Sequence, residues 1–300
     1  MISSSLAGVR SCPVCGGRPV GIKFPYSTCF DGVIFNYFGC GGCQSVFVDP
    51  VPSATSFSKM YAKSAYHDKY YLSEQRGRYD ESALLLKRNL TTGLNVLDYG
   101  CGVGDFLRGC SVAGLDPFGV EFDVDAANFA SINVGCRVVS AEEFSEMEVR
   151  PIFDAIHCGD VLEHLPDPEN TVKHLLGFLK PGGVLFFEGP LESNPSPVFW
   201  VARMYGAMKR TLGGFPVSQN APTHLFRTNA VAQRDFFSKV DSSIELLHWR
   251  VFETGWPYNS CPEILKGLVS KFAIKLSGFR FGAVVLGNRF EGIWVKKVSH

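Results

Sequence analysis

One stretch constrains this chain more than any other: Val96-Leu97-Asp98-Tyr99-Gly100-Cys101-Gly102-Val103-Gly104-Asp105-Phe106-Leu107. Four residues of buried-strand character run into a turn with three glycines and out again into a helical pattern. Glycine lets the backbone turn tightly and lets a ligand approach with no Cβ in the way. A strand, a glycine-rich turn and a helix in that order open a βαβ unit, and repeated units of this kind build a parallel sheet with helices packed on it.

The rest of the chain continues the alternation. Phe106 to Ala113 reads as the first helix and Phe118 to Glu121 as the second strand. Asp125 to Ile132, Arg137 to Val139 and Phe153 to Cys158 follow as helix, third strand and fourth strand. Asp167-Pro168-Glu169 carries a helix start: an Asp N-cap, proline at the first helical position and an acid in the first turn. Lys180-Pro181-Gly182-Gly183 stops that helix, and Val184 to Glu188 is the fifth strand. Residues 191–222 read as irregular. Thr228 to Val240 and Glu263 to Leu276 read as helices, and Ile244 to Arg250 and Phe290 to Lys296 as the last two strands. The expected fold class is α/β, a doubly wound, mostly parallel seven-stranded sheet.

Composition excludes several classes. Lys+Arg and Asp+Glu are both 29, so the formal charge is zero, and no broad electrostatic footprint for DNA or RNA exists. With 46% hydrophobic residues the chain can fill a sizeable core. No apolar run has the length of a secretion signal or a bilayer span. The expected location is cytoplasmic, with membrane contact at most peripheral.

Ten cysteines would suit a disulfide scaffold, but four of them form two C-x-x-C units. These are Cys12-Pro13-Val14-Cys15-Gly16 and Cys40-Gly41-Gly42-Cys43, with 24 residues between Cys15 and Cys40. Each unit puts two thiolates on one turn, and the glycines let backbone N–H groups face sulfur. Four sulfurs from Cys12, Cys15, Cys40 and Cys43 complete a closed tetrahedral zinc site, which is structural because no coordination position stays open. A redox pair or degenerate cysteines are the alternatives. The expected layout is a zinc ribbon over residues 1–50, a helical connector over 51–90, and a main domain over 91–300 whose segment 191–227 covers the site.

The second strand ends in Glu121, 23 positions after Asp98, where an acid suits ribose hydroxyls. Spacing alone leaves nicotinamide and flavin sites open. The wording is narrower. Asp98-x-Gly100-Cys101-Gly102-x-Gly104 resembles the first motif of class I S-adenosylmethionine-dependent methyltransferases. Asp160-Val161-Leu162-Glu163-His164-Leu165-Pro166-Asp167-Pro168 is similar to their "VLEH-x-x-DP" segment, and Leu179 to Gly183 to their "LKPGG" stretch. The ribbon, the segment Val46 to Ser53, the tyrosine-rich stretch Tyr61 to Tyr79 and His224-Leu225-Phe226-Arg227-Thr228 resemble a bacterial branch acting on small molecules and sugars. The resemblance implies roles. Gly100, Gly102 and Gly104 form the turn beside the amino-acid part of S-adenosylmethionine, and Asp98 sets that turn. Glu121 holds the ribose, Phe122 packs on the adenine, and Ala141 and Glu142 lie at the adenine rim. Asp160 and Val161 close the pocket.

Methyl transfer from a sulfonium leaves the protein to position the nucleophile and take its proton. Histidine is the natural base near neutral pH. Of seven histidines, His67, His248 and His300 fall in polar or terminal settings, and His157 and His174 sit inside a strand and a helix. His164, next to Glu163, and His224, in the cover segment, remain as candidate bases. The resemblance to sugar C-methyltransferases, with a histidine in a similar "EHLF" setting, supports His224. This chain has Thr223 where those have Glu, and oxygen is the favoured acceptor atom. Tyr70, Tyr71 and Tyr79 are candidate pocket residues. Phe199, Trp200, Met204, Tyr205 and Met208, mixed with Arg203, Lys209 and Arg210, make either a lid for an amphipathic acceptor or an ordinary helical cover. The expected function is O-methylation of a small molecule or saccharide with S-adenosylmethionine as cofactor and structural Zn2+. A zinc-ribbon RNA methyltransferase and a non-catalytic cofactor-binding protein are the alternatives. Zero net charge and the absence of a basic, aromatic-interleaved stripe argue against RNA.

Overall fold

β-Branched and aromatic residues cluster between the two cysteine pairs, and there the chain forms strands. In the computed structural model, which describes residues 6–62, 76–91, 93–213, 217–257, 264–282 and 284–298, β1 (Pro19–Phe30), β2 (Val33–Cys40) and β3 (Val46–Asp49) form an antiparallel meander. Phe35, Tyr37, Phe38, Phe47 and Val48 are among its buried side chains. Helix α1 (Ala54–Tyr61) follows, capped by Ser53, whose hydroxyl accepts from the Ser56 N–H. After residues outside the described set, α2 (Arg76–Asn89) leads into the main sheet.

That sheet is built by β4 (Asn95–Tyr99), α3 (Asp105–Val112), β5 (Asp116–Glu121), α4 (Val124–Val134), β6 (Val138–Ser140), α5 (Ala141–Glu146), β7 (Phe153–Gly159), α6 (Pro168–Phe178) and β8 (Leu179–Pro190). Then come α7 (Pro197–Gly213), the short strands β9 (Val217–Ser218) and β10 (Phe226–Arg227), α8 (Ala230–Val240), β11 (Ile244–Phe252) and α9 (Ile264–Lys275). A small hairpin, β12 (Arg280–Phe281) and β13 (Val284–Val285), precedes β14 (Arg289–Lys296). Seven strands lie in the order β11-β14-β8-β7-β4-β5-β6. The five from β8 to β6 are parallel, and β14 runs antiparallel between β8 and β11. All seven residues of β7 are buried, as a strand covered on both faces requires.

The chain moves outward from β4 through β5 to β6, then returns to the other side of β4 for β7. Strand order therefore reverses between β4 and β7, and a crevice opens at their C-terminal ends. Every catalytic and cofactor candidate lies around that edge.

Two expectations need correction. Residues 191–222 were expected to be irregular, yet Pro197–Gly213 is a 17-residue helix. Pro197 begins it, where a missing N–H costs nothing. Lys180 to Gly183 was expected as a stop before a strand at Val184, but β8 already starts at Leu179. Phe153 pairs with Leu179, and a register shift absorbs the two glycines.

The ribbon is not a separate bead. Its strand β3 pairs antiparallel with β10, with Phe47 opposite Phe226 and Val46 opposite Arg227. Cys12, Val14, Phe38, Cys40 and Phe47 share one apolar cluster with Leu97, Ile156, Leu185 and Phe237 of the main domain.

Candidate active site

The glycine turn is shaped by close approach. Gly100 has φ +82°, and a Cβ there would lie 2.3 Å from Val161 Cγ2. Val161, just past β7, thus packs directly on the turn. Gly104 has φ +89° and caps α3; a Cβ on it would meet Val134 Cγ2 at 2.9 Å. Gly100→Ala is expected to cost about 2–5 kcal/mol, from left-handed strain plus overpacking. Denaturant unfolding of the single variant and of the Gly100→Ala, Val161→Ala double variant checks this. The second change should recover the clash and leave the backbone strain; no recovery would mean that Val161 does not crowd the turn.

Glu121 ends β5 and is buried. Its Oε2 accepts from the Gly102 N–H at 2.8 Å, and Oε1 from the N–H groups of Phe122 at 2.8 Å and Asp123 at 3.1 Å. The carboxylate therefore ties the glycine turn to the start of α4. Phe122 is half exposed beside it. Ala141 and Glu142 open α5, part-buried and exposed respectively.

Asp98 is buried, and its Oδ1 lies 2.7 Å from Nδ1 of His157. The parallel register sets Asp98 of β4 opposite His157 of β7, so the pair follows from strand order. His157 stacks on Phe106 at 3.6 Å between ring centroids, and its Nε2 is 3.7 Å from Glu188 Oε1. Burial alone would lower its pKa, but Asp98 and Glu188 overcome that and push it up to about 9. Glu188 also receives Arg78 at 3.2 Å and Ser82 at 3.1 Å. Asp160, a non-glycine residue at φ +54°, pairs with Arg289 at 2.6 Å and with Arg78 at 3.3 Å. Asp160 thus spends its carboxylate on two guanidinium groups, while its backbone borders the crevice. Tyr79 is buried and lines this crevice with Asp98, Gly100 and His157; Tyr70 and Tyr71 lie outside the described residues.

The two candidate bases meet. His164 sits in a single 3-10 turn (Leu162–His164) after β7, and His224 two residues before β10. Their ring centroids are 4.8 Å apart at 71°. His164 Nδ1 donates to the Thr223 carbonyl at 2.6 Å and lies 3.0 Å from the Tyr61 hydroxyl, which donates to the same carbonyl at 2.6 Å. Burial and the neighbouring His224 push the His164 pKa down to about 3, so the ring is neutral. His224 Nδ1 lies 2.6 Å from Glu192 Oε2, and Arg227 holds the other Glu192 oxygen at 3.3 Å. Burial opposes charging of His224, but Glu192 outweighs it and the pKa rises. Burial would raise Glu192 as well; Arg227 and His224 bring it down to about 2. Glu163 is buried, and burial lifts its carboxyl to about 7 against the pull of His224. Tyr61 joins the two halves of the site: its ring is 5.3 Å from His164 and 6.5 Å from Phe122.

His157 and His174 pack inside the protein, His248 on β11 is bonded to Glu291, and His67 and His300 lie outside the described residues. Sequence reasoning gave no site role to Tyr61, Glu192, Arg78 or Glu188 and did not pair Asp98 with His157.

Cys12, Cys15, Cys40 and Cys43 place four sulfurs within 4.8 Å of one another. Sγ–Sγ distances are 3.8 Å for Cys12–Cys43 and 3.4 Å for Cys15–Cys40. The Gly42 N–H donates to Cys40 Sγ at 3.3 Å. A Cβ at Gly17 would lie 2.8 Å from Cys40 Sγ and 3.1 Å from Cys15 Sγ, so the backbone cradles the sulfurs as a thiolate cage needs. Four soft donors, bonded by backbone N–H and closed off, fit zinc.

Residues 71–257 match the family model described as a methyltransferase domain. A ubiquinone biosynthesis O-methyltransferase from Alkalilimnicola ehrlichii is 33% identical over 110 residues, 34% of this chain and 44% of that protein. A protein of the same name from Pseudomonas putida is 32% identical over 128 residues, 40% of this chain and 53% of that protein. The chain thus spans about half the length of the curated relatives it matches. Among solved structures, the plantazolicin methyltransferase BpumL in complex with SAH superposes with a TM-score of 0.51 at 12% identity, over 82% of this chain and 95% of that one. A SAM-dependent methyltransferase from Methanosarcina mazei gives a TM-score of 0.50 at 17% identity, over 72% and 98%. These two likenesses are of fold alone.

Proposed function

The chain belongs to the methyltransferase-domain family, and on that premise we propose that it moves a methyl group from S-adenosylmethionine to an oxygen of a small-molecule or saccharide acceptor. One observation carries the reading. His224, its Nδ1 held by Glu192 at 2.6 Å, faces His164 one aromatic ring away from Phe122. A proton acceptor and a cofactor pocket thereby share one edge of the sheet.

When bound, S-adenosylmethionine supplies a methyl group already activated on a sulfonium. The chain does the rest. Gly100, Gly102 and Gly104 offer bare backbone beside the cofactor's amino-acid end, and Asp98, fixed by His157, keeps that turn in shape. Glu121 faces the ribose, Phe122 gives a ring face to the adenine, and Ala141 and Glu142 border it. Val161 and the Asp160 backbone close the opposite wall. His224 takes the acceptor proton at Nε2, and Glu192 stabilises the imidazolium that forms. His164, neutral and held by Thr223, orients the acceptor. The curated relatives named for O-methylation in ubiquinone biosynthesis support oxygen as the atom methylated. Cys12, Cys15, Cys40 and Cys43 hold one structural zinc.

Incubation with isotope-labelled cofactor and sets of catechols, nucleotide sugars and RNA tests the reading by mass spectrometry. Label on a hydroxyl of a small molecule is the expected result; label on RNA alone would overturn it. Glu121→Ala should weaken cofactor binding by at least tenfold, since each hydrogen bond to a charged acceptor contributes about 1.5–3 kcal/mol. Titration calorimetry reads this, and unchanged affinity would remove Glu121 from the ribose.

A further inference from the structure

We propose that Glu163, His164 and His224 form a second metal site, for a divalent cation of the zinc or cobalt type. One ligand atom from each lies within 4.8 Å of the others. His164 Nε2 is 3.8 Å from Glu163 Oε1, close to the roughly 3.4 Å that separates two ligands on a tetrahedral zinc.

Two further observations point to a cation. Glu163 is 6% exposed and its Oε1 has no hydrogen-bond partner, a cost that a buried carboxylate oxygen sheds by coordinating a metal. Both histidines also carry the outer bond that metal-binding imidazoles carry. His164 Nδ1 donates to a backbone carbonyl, and His224 Nδ1 is held by a carboxylate, which turns Nε2 of each ring into the lone-pair nitrogen. Two imidazole nitrogens and one carboxylate oxygen suit zinc, cobalt, iron or nickel better than magnesium or calcium. The set leaves coordination open on the side of His224, whose side chain is 22% exposed.

The inference rests on the same histidines that serve as proton acceptors in the proposed reaction. Cation and proton compete for one lone pair, so the loaded site silences His224 as a base.

The test is a Co2+ titration of protein that keeps its ribbon zinc, followed by visible absorption. One further Co2+ per chain should bind with ligand-field bands of a nitrogen–oxygen site. Glu163→Gln should abolish it, and Glu192→Gln, which removes no ligand but weakens the outer bond of His224 along with the Arg227 contact, should weaken it 10–100-fold. Both changes are near-isosteric, and retained ribbon zinc shows that the variant is folded. No Co2+ beyond the ribbon, or undiminished binding in folded Glu163→Gln, would overturn the site. Failure of the base assignment reads differently: it appears as near-normal turnover of His224→Ala in metal-free buffer, whatever Co2+ does.

Discussion

His224→Ala should lower turnover by about 10²–10⁴-fold, the usual span for general base catalysis, and leave cofactor affinity almost unchanged. The surroundings of His224 explain the asymmetry. His224 touches Glu192 and His164, whereas the glycine turn follows β4, and Glu121 and Phe122, the proposed ribose and adenine contacts, stand at the end of β5 and just beyond it. The pH profile carries the sign. The neutral ring accepts the proton, and Glu192 holds the His224 pKa above its ordinary value. Turnover in metal-free buffer should therefore fall as pH drops through a point higher than the ordinary histidine value. Glu192→Gln should move that limb to lower pH, because the carboxylate that favours the imidazolium is gone. His164 titrates near 3 and gives no limb in the working range. Near-normal turnover in His224→Ala, with collapse in His164→Ala, would transfer the proton to the neighbouring ring.

The second large effect concerns the ribbon. Cys40→Ser should lose the ribbon zinc, read by elemental analysis as one equivalent per chain, and with it a binding free energy on the order of 10–16 kcal/mol. Turnover should be lost while S-adenosylmethionine still binds within a few-fold of wild type. The reason is the path of the backbone. The Val48 N–H bonds the Leu225 carbonyl at 2.8 Å, and the Leu225 N–H bonds the Glu163 carbonyl at 2.7 Å. Leu225 follows His224 directly, so the ribbon strand and the Glu163 turn grip the candidate base from both sides. The cofactor turn has no such bond to the ribbon among the described residues. Full metal content in Cys40→Ser would show that the ligand set is wrong.

Much of this was legible in the sequence for physical reasons. Glycines at forced backbone angles, an Asp-Pro helix start and paired cysteines act over a few residues, and each left a local pattern. The Asp98–His157 pair did not, because 59 residues separate its members and only the parallel register brings them together. Glu192 was hidden for a similar reason: two residues beyond β8, nothing nearby in sequence announces His224 across 32 residues. Proline misled where it began a helix instead of breaking one, at Pro197. His164 and His224 were each readable as candidates, but that they touch is a fact of topology.

The joining of β3 to β10 has a bearing on how such a chain can diversify. The proposed cofactor half and the proposed acceptor half hang from different parts of the backbone. A change in the ribbon strand shifts the residues beside His224 without disturbing the glycine turn, so acceptor preference can drift while the methyl donor stays fixed. The same joint forbids trimming. A version cut back to residue 51 would leave β10 with an unpaired edge and Phe226 stripped of Phe47, a sticky surface that favours aggregates over a smaller working transferase.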